Sequence, residues 1–212
     1  MIAERHRPRK SVCIVSPCYN EADAIDAFHA ELSTVLDRLD SELEFTIVLV
    51  DDGSTDATLE RLNAIACRDA RVRVYSLSRN FGHQIALSAG LDVGVGDAVI
   101  MLDSDLQHPP ALIPEMLERW RAGYDVVSAT RCRSQGASFL KNATSRVFYW
   151  LFNRLSDMPV PVGAADFGLL SRRAWDALKS MPERHRFLRG MITWIGFSRT
   201  FVSYEAPPRV AG

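Results

Sequence analysis

The 212 residues carry 25 Lys and Arg against 26 Asp and Glu, a formal net charge of -1, so nothing global invites a polyanion, and nucleic acid is not an expected partner. The length suits one domain with a substantial core. Cys13, Cys18, Cys67 and Cys132 form no C-x-x-C pair, which argues against zinc and against a disulfide framework. A reducing cytosol is the default setting. No run approaches the roughly 18 apolar residues that span a bilayer. The basic cluster Arg5, Arg7, Arg9 and Lys10 is not followed by an apolar stretch of signal-peptide length, so residues 1–10 read as a tail.

In chain order, Val12 to Ser16 predicts a buried strand ended by Pro17. A helix follows, opened by Tyr19-Asn20-Glu21 with Asn20 as its cap, and with Ile25, Phe28, Leu32, Leu36 and Leu39 at helical spacing. Phe45 to Val50 predicts a second strand that runs into Asp51-Asp52-Gly53-Ser54, then a helix from about Thr55. Val72 to Leu77 is a third strand, and Asn80-Phe81-Gly82-His83 leads into a third helix. Gly96-Asp97 then turns the chain into an apolar run, Ala98 to Leu102, that ends at Asp103-Ser104-Asp105. Pro109 and Pro110 forbid regular structure just beyond. Strand and helix alternate with short links, which predicts an α/β fold with a mostly parallel central sheet and helices on both faces.

After Asp105 the rhythm changes. Ala111 to Ala122 predicts a helix and Tyr124 to Ala129 a strand ending near Arg131. Residues 139–155 combine five aromatics with Lys141, Arg146 and Arg154 at helical length; such a helix lies either in a membrane interface or in an ordinary core. A return strand through Asp166 to Leu170, helices over Ser171 to Met181 and Arg186 to Trp194, and a strand over Phe197 to Glu205 complete the pattern. The domain is expected over 11–206, divided into 11–110 and 111–206. The loop-like ending at 207–212 predicts a piece cut from something longer.

Acids at strand ends carry the chemistry. In open α/β sheets ligands bind beyond the carboxyl ends of the strands, where Asp51, Asp52, Asp103 and Asp105 all fall. Two carboxylates as close as Asp103 and Asp105 repel unless a cation lies between them, and Mg²⁺ or Mn²⁺ suits oxygen ligands that leave room for water and a phosphate. The bland alternative is a capping Asp with a solvated neighbour. No G-x-G-x-x-G follows the first strand and no P-loop occurs, which argues against a dinucleotide fold and excludes a P-loop site. Acids able to accept from a base or a ribose, beside a metal pair able to hold a diphosphate, describe a nucleotide-sugar site.

The ordered set Pro17-x-Tyr19-Asn20-Glu21, Asp51-Asp52-Gly53-Ser54-x-Asp56, Arg79-Asn80-Phe81-Gly82, Gly96-Asp97, Asp103-x-Asp105-Leu106-Gln107-His108-Pro109-Pro110 and Asp166-Phe167 resembles the inverting family 2 glycosyltransferases of GT-A fold. The likeness is strongest to the branch that acts on polyprenyl phosphates. It implies transfer of a sugar from a UDP- or GDP-sugar to a polyprenyl phosphate at the cytoplasmic face of a membrane, with Mg²⁺ or Mn²⁺. By the same resemblance Pro17, Tyr19, Asn20, Glu21, Asp51, Asp52, Ser54, Asp103 and Arg209 serve the nucleotide, and Asp103, Asp105 and Gln107 the metal. Arg131, Ser145 and Arg146 would serve the acceptor phosphate, with Asp166 and Asp105 as catalytic residues. Tyr19 could equally be a core aromatic, while His83 and His108 are expected to be structural or substrate-contacting rather than acid–base groups.

Two departures from that pattern stand out. Gly168 occupies the position after Asp-Phe where the branch usually has arginine, which removes a cation from beside Asp166. Many members also continue into transmembrane helices, through which an oligomer could form, whereas this sequence stops at Gly212. Transfer to a saccharide hydroxyl, and non-catalytic binding of a nucleotide sugar or a partner, are the alternative readings. A phosphate acceptor needs little help from a base, whereas a hydroxyl gains about 10²- to 10⁴-fold from one, so the role expected of Asp166 depends on the acceptor.

Overall fold

The computed structural model describes residues 9–131, 164–183 and 186–204. Among the described residues seven strands form one sheet in the order β3-β2-β1-β4-β6-β5-β7. These are β1 (Lys10–Cys18), β2 (Leu43–Asp51), β3 (Val72–Ser76), β4 (Ala98–Met101), β5 (Val126–Arg131), β6 (Ala164–Ser171) and β7 (Arg199–Tyr204). Strand β6 runs antiparallel to both its neighbours, and the other pairs are parallel. The expected mostly parallel sheet is therefore present.

Helices cover both faces because side chains alternate along each strand. On one face Val12, Ile14, Ile47, Leu49, Phe167 and Leu169 pack under α1 (Ile25–Asp37), α2 (Thr58–Arg68) and α4 (Ile113–Arg121). On the other, Cys13, Val15, Val48, Val50, Met101 and Leu170 pack under α3 (His83–Val93), α5 (Arg172–Ser180) and α6 (Leu188–Trp194). Phe28 and Trp175 are among the largest fully buried side chains. Trp175 also donates its indole N–H to the Leu91 carbonyl at 3.1 Å, so α5 is fastened to the end of α3. Truncation of such a residue to Ala typically costs about 3–5 kcal/mol.

Several element boundaries differ from the sequence-based expectation for local reasons. β1 continues through Pro17 to Cys18, because Pro17 falls near the strand's end, where a missing N–H is tolerated. Asn20 does not cap α1: its φ is +53°, and its side-chain oxygen accepts the Thr55 N–H at 2.9 Å. The helix starts at Ile25, four residues beyond Glu21, whose carbonyl accepts from Ala24 and Ile25. α2 starts at Thr58 rather than near Thr55, since Asp56 first closes a turn on the Thr58 N–H and hydroxyl. A short 3₁₀ turn, Pro110–Leu112, precedes α4. Ser171 caps α5 by accepting from Ala174. The expected helix over 139–155, with Ser145 and Arg146, lies outside the described residues, as do the tail 1–8, the segment 207–212 and Arg209.

Candidate active site

The ends of β1, β2 and β4 and the start of α3 surround a cleft of about 250 Å³, lined by Pro17, Cys18, Tyr19, Glu21, Asp52, Asn80, Gly82, His83, Asp103, Ser104 and Asp105. Tyr19 is 42 % exposed, which places it on the cleft wall rather than in the core. The walls are laced together. The Asp52 N–H donates to the Cys18 carbonyl at 2.8 Å and the Ser104 hydroxyl to the Pro17 carbonyl at 3.1 Å, joining the loops after β2 and β4 to β1. Asn20 sits at the rim, where its N–H donates to the Ser54 hydroxyl at 3.0 Å.

The two acids after β2 have different tasks. Asp51 turns inward: it is buried, and it accepts from the Ser76 hydroxyl at 2.9 Å and the Ser54 N–H at 3.2 Å. A nucleotide contact through the Asp51 carboxylate does not fit that placement, and neither Asp51 nor Ser54 lines the cleft. Asp52 lines it, yet its carboxylate accepts the Phe81 and Gly82 N–H groups, both at 2.8 Å. It therefore fixes the loop that launches α3. Gly53, at φ +64°, makes the approach possible, because a Cβ there would lie 2.3 Å from the Arg79 carbonyl carbon.

Asp103 and Asp105 both face the cleft. His83 Nε2 lies 2.7 Å from Asp103 Oδ1, and the Asp103 N–H donates to His108 Nδ1 at 3.0 Å. Burial works against the Asp103 charge, but the His83 hydrogen bond and the nearby imidazoles outweigh it and hold the carboxyl below its usual range. The same hydrogen bond raises the pKa of His83. His108 is lowered chiefly by its own burial; it is stacked on Phe167 at 5.0 Å and edge-on to Tyr204 at 6.0 Å. Its neutral Nδ1 serves as an acceptor, a structural role.

Among the described residues no three His, Cys, Asp or Glu side chains converge on a metal position. The pair Asp103 and Asp105 nonetheless fits a hard divalent cation, which commonly takes one or two carboxylates and completes its shell with water and substrate phosphate. Gln107 is half-buried and does not line the cleft; its backbone N–H donates to Asp105 Oδ1 at 3.0 Å.

Asp166 enters from β6. Arg189 on α6 donates to both its oxygens, Nε to Oδ1 at 3.3 Å and Nη2 to Oδ2 at 3.1 Å, and Gln84 Nε2 donates to Oδ2 at 3.1 Å. The cation absent at Gly168 is thus supplied by Arg189. Gly168 has its own constraint, since a Cβ would lie 2.7 Å from the Val127 carbonyl oxygen of β5. Arg131 ends β5, exposed and opposite Tyr204 in the β5–β7 register. Sequence reasoning missed Gln84 and Arg189 in the site: Gln84 follows His83 directly, but Arg189 lies 23 residues beyond its partner.

The profile described as "Glycosyl transferase family 2" matches residues 13–178. The chain is 40 % identical over 201 residues to a bactoprenol glucosyl transferase of Shigella phage SfV, covering 95 % of this chain and 65 % of that protein. It is 41 % identical over 199 residues to an uncharacterized glycosyltransferase, YkcC, of Bacillus subtilis, covering 94 % and 61 %. It therefore spans about three-fifths of the length of these relatives. Among solved structures, it superposes on a mannosyltransferase of Pyrobaculum calidifontis in complex with GDP-Man and Mn²⁺ with TM-score 0.64 at 20 % identity, covering 95 % of this chain and 59 % of that one. A glucosyl-3-phosphoglycerate synthase of Mycobacterium tuberculosis in complex with Mg²⁺ and UDP gives TM-score 0.64 at 21 % identity, covering 96 % and 72 %. These likenesses show the GT-A fold. By its match over most of its length, the chain belongs to glycosyl transferase family 2.

Proposed function

We propose that this chain transfers a sugar from a UDP- or GDP-sugar to a polyprenyl phosphate at a membrane surface on the cytoplasmic side. The observation that carries the reading is the convergence at one sheet edge of a cleft holding Asp103 and Asp105 with a third acid, Asp166, that is already balanced by Arg189. The 40 % identity to a bactoprenol glucosyl transferase supports the acceptor class.

The chemistry follows from charge. A phosphate monoester has a second pKa of about 6 and is largely dianionic near neutrality, so its oxygen attacks without losing a proton. As the new bond to the anomeric carbon forms, the bond to the donor's diphosphate breaks and the nucleoside diphosphate leaves. Asp103 and Asp105 would hold Mg²⁺ or Mn²⁺, which when bound supplies Lewis-acid neutralisation of the leaving diphosphate. Tyr19 and Glu21 wall the nucleotide side of the cleft, and Asp52 holds the loop above it. Asp166, already accepting from a guanidinium and an amide, suits orientation and stabilisation of positive charge at the anomeric carbon better than proton abstraction.

The test is product formation from labelled UDP-glucose or GDP-mannose, with Mn²⁺, on a polyprenyl phosphate in detergent micelles and on free saccharides. Labelled lipid from one donor is expected. Transfer to saccharide alone would overturn the acceptor assignment, and equal nucleotide affinity with and without metal would overturn the metal assignment.

A further inference from the structure

A single side chain, Gln84, joins the two acidic centres. Its Nε2 donates to Asp166 Oδ2 at 3.1 Å, and its Oε1 accepts the Leu188 N–H at 3.1 Å. That second contact fixes the amide, because only oxygen can face a backbone N–H. The nitrogen also lies 3.3 Å from His83 Nδ1, and His83 Nε2 reaches Asp103 Oδ1 at 2.7 Å. An unbroken polar chain therefore runs from Asp103 through His83 and Gln84 to Asp166, and on to Arg189.

The Arg189 fork is the other half of the arrangement. Two guanidinium nitrogens on two carboxylate oxygens fix the carboxylate's plane as well as its position, which one ammonium cannot do. The pair is partly buried, with side-chain exposures of 33 % for Arg189 and 17 % for Asp166. Helix α6 has other means of attachment, since Leu188, Met191 and Ile192 are all buried in the core on that face. A partly buried ion pair adds little to such a seat once desolvation is counted. What it does specify is the direction of the Asp166 carboxylate.

We propose that Arg189 and Gln84 are positioning residues for Asp166, a role that rests on the transfer reading above. They hold the carboxylate in the orientation the reaction uses and tie it to Asp103 through His83. Mispositioning of about 1 Å at a reacting centre can cost about 10²-fold in rate, and that is the scale expected when the fork is lost.

The experiment is steady-state kinetics of Arg189→Ala, Arg189→Lys, Gln84→Ala, Asp166→Asn and the double variant Asp166→Asn/Arg189→Ala. The donor is whichever of UDP-glucose and GDP-mannose the wild-type chain turns over, and the acceptor is polyprenyl phosphate in micelles. Arg189→Ala should lower kcat about 10²-fold with donor KM within about twofold, and Arg189→Lys should recover part of the loss. The double variant should be no slower than Asp166→Asn, because Arg189 acts only through Asp166. A raised donor KM with kcat retained, or effects that multiply in the double variant, would overturn the proposal. Hydrogen exchange of the free protein is measured alongside. Because Leu188, Met191 and Ile192 seat α6, Arg189→Ala should leave exchange at the Met191 and Ile192 amides near wild type, and faster exchange there would overturn the proposal by making the pair a structural tie. Absence of turnover by the wild-type chain counts against the transfer reading, and a crystal structure of free Arg189→Ala then decides the clamp: the Asp166 carboxylate should leave its wild-type plane, and an unmoved carboxylate would overturn the proposal.

Discussion

Asp52→Asn is the most informative small change in the cleft. The wild-type carboxylate is 2 % exposed and accepts two backbone N–H groups, Phe81 on Oδ1 and Gly82 on Oδ2, each at 2.8 Å. Asn keeps the shape but offers one acceptor oxygen, so one N–H faces an NH₂ group and loses its partner. An unsatisfied buried donor costs about 1–3 kcal/mol, and the surviving bond falls from charge-assisted to neutral, about 1 kcal/mol more. The sum, about 2–4 kcal/mol, corresponds to about 4–16 °C in Tm for a domain of this size. The loop that relaxes leads directly into His83 and Gln84, so nucleotide affinity should fall with stability. Urea unfolding and calorimetric titration with UDP and GDP measure the two together. A variant as stable as wild type that has lost only nucleotide affinity would refute the reasoning, because Asp52 would then act on the ligand and not on the loop.

Other substitutions probe separate features. Gly168→Ala places a Cβ 2.7 Å from the Val127 carbonyl oxygen, and the overpacking should destabilise the fold by about 1–3 kcal/mol in urea unfolding. Asp105→Asn should abolish the Mn²⁺-dependent part of nucleotide stabilisation in thermal unfolding, while Asp166→Asn retains it; a ligand at a hundredfold excess over Kd raises stability by about 2.7 kcal/mol, so the contrast is measurable. Asp125 is held down to about 2 chiefly by the Arg173 guanidinium, burial opposing and the Ser198 and Ser171 hydroxyls assisting. Because its folded-state pKa lies below the unfolded value, its contribution is fully present above about pH 4 and is lost as the pH falls toward 2. With Arg173 exposed, solvent screening keeps that contribution small. The stability gap between wild type and Asp125→Asn should be constant near neutrality and close over that acid window.

Much of the sheet was legible because short continuous apolar runs and abrupt acid tips are local signals. Phe45 to Val50 and Ala98 to Leu102 could hardly be anything but buried strands, and Asp103 and Asp105 fell where the open-sheet rule puts ligands. Asn20 was misread because capping residues and left-handed turn residues are the same types, and only the partner, here the Thr55 N–H, tells them apart. Asp51 and Asp52 were indistinguishable for a related reason: adjacent residues at a strand's end point opposite ways, and the sequence does not say which one Ser76 will claim. Gln84 and Arg189 were invisible as site residues. Their partner lies 82 and 23 residues away, and pairing across such separations is set by how α3 and α6 are laid on the sheet.

The antiparallel strand explains why those two helices are the ones that reach both acids. Parallel strands bring their last residues to the active edge, whereas β6 begins there, so an acid near its start joins acids beyond the end of β4. The register sets Gly168 opposite Met101 and Ser128. Counting outward by two from that row gives Asp166 on β6 and Asp103 beyond β4, the same parity as Met101 and Leu170, which pack beneath α3, α5 and α6. Leu102 and Phe167 have the opposite parity and belong to the other core, where Phe167 receives the His108 ring. One face of the sheet edge thus presents both carboxylates to the first turns of α3 and α6, and the other supports Asp103 from behind through His108. Among the described residues, His83, Gln84 and Arg189 stand on the helices that reach both acids.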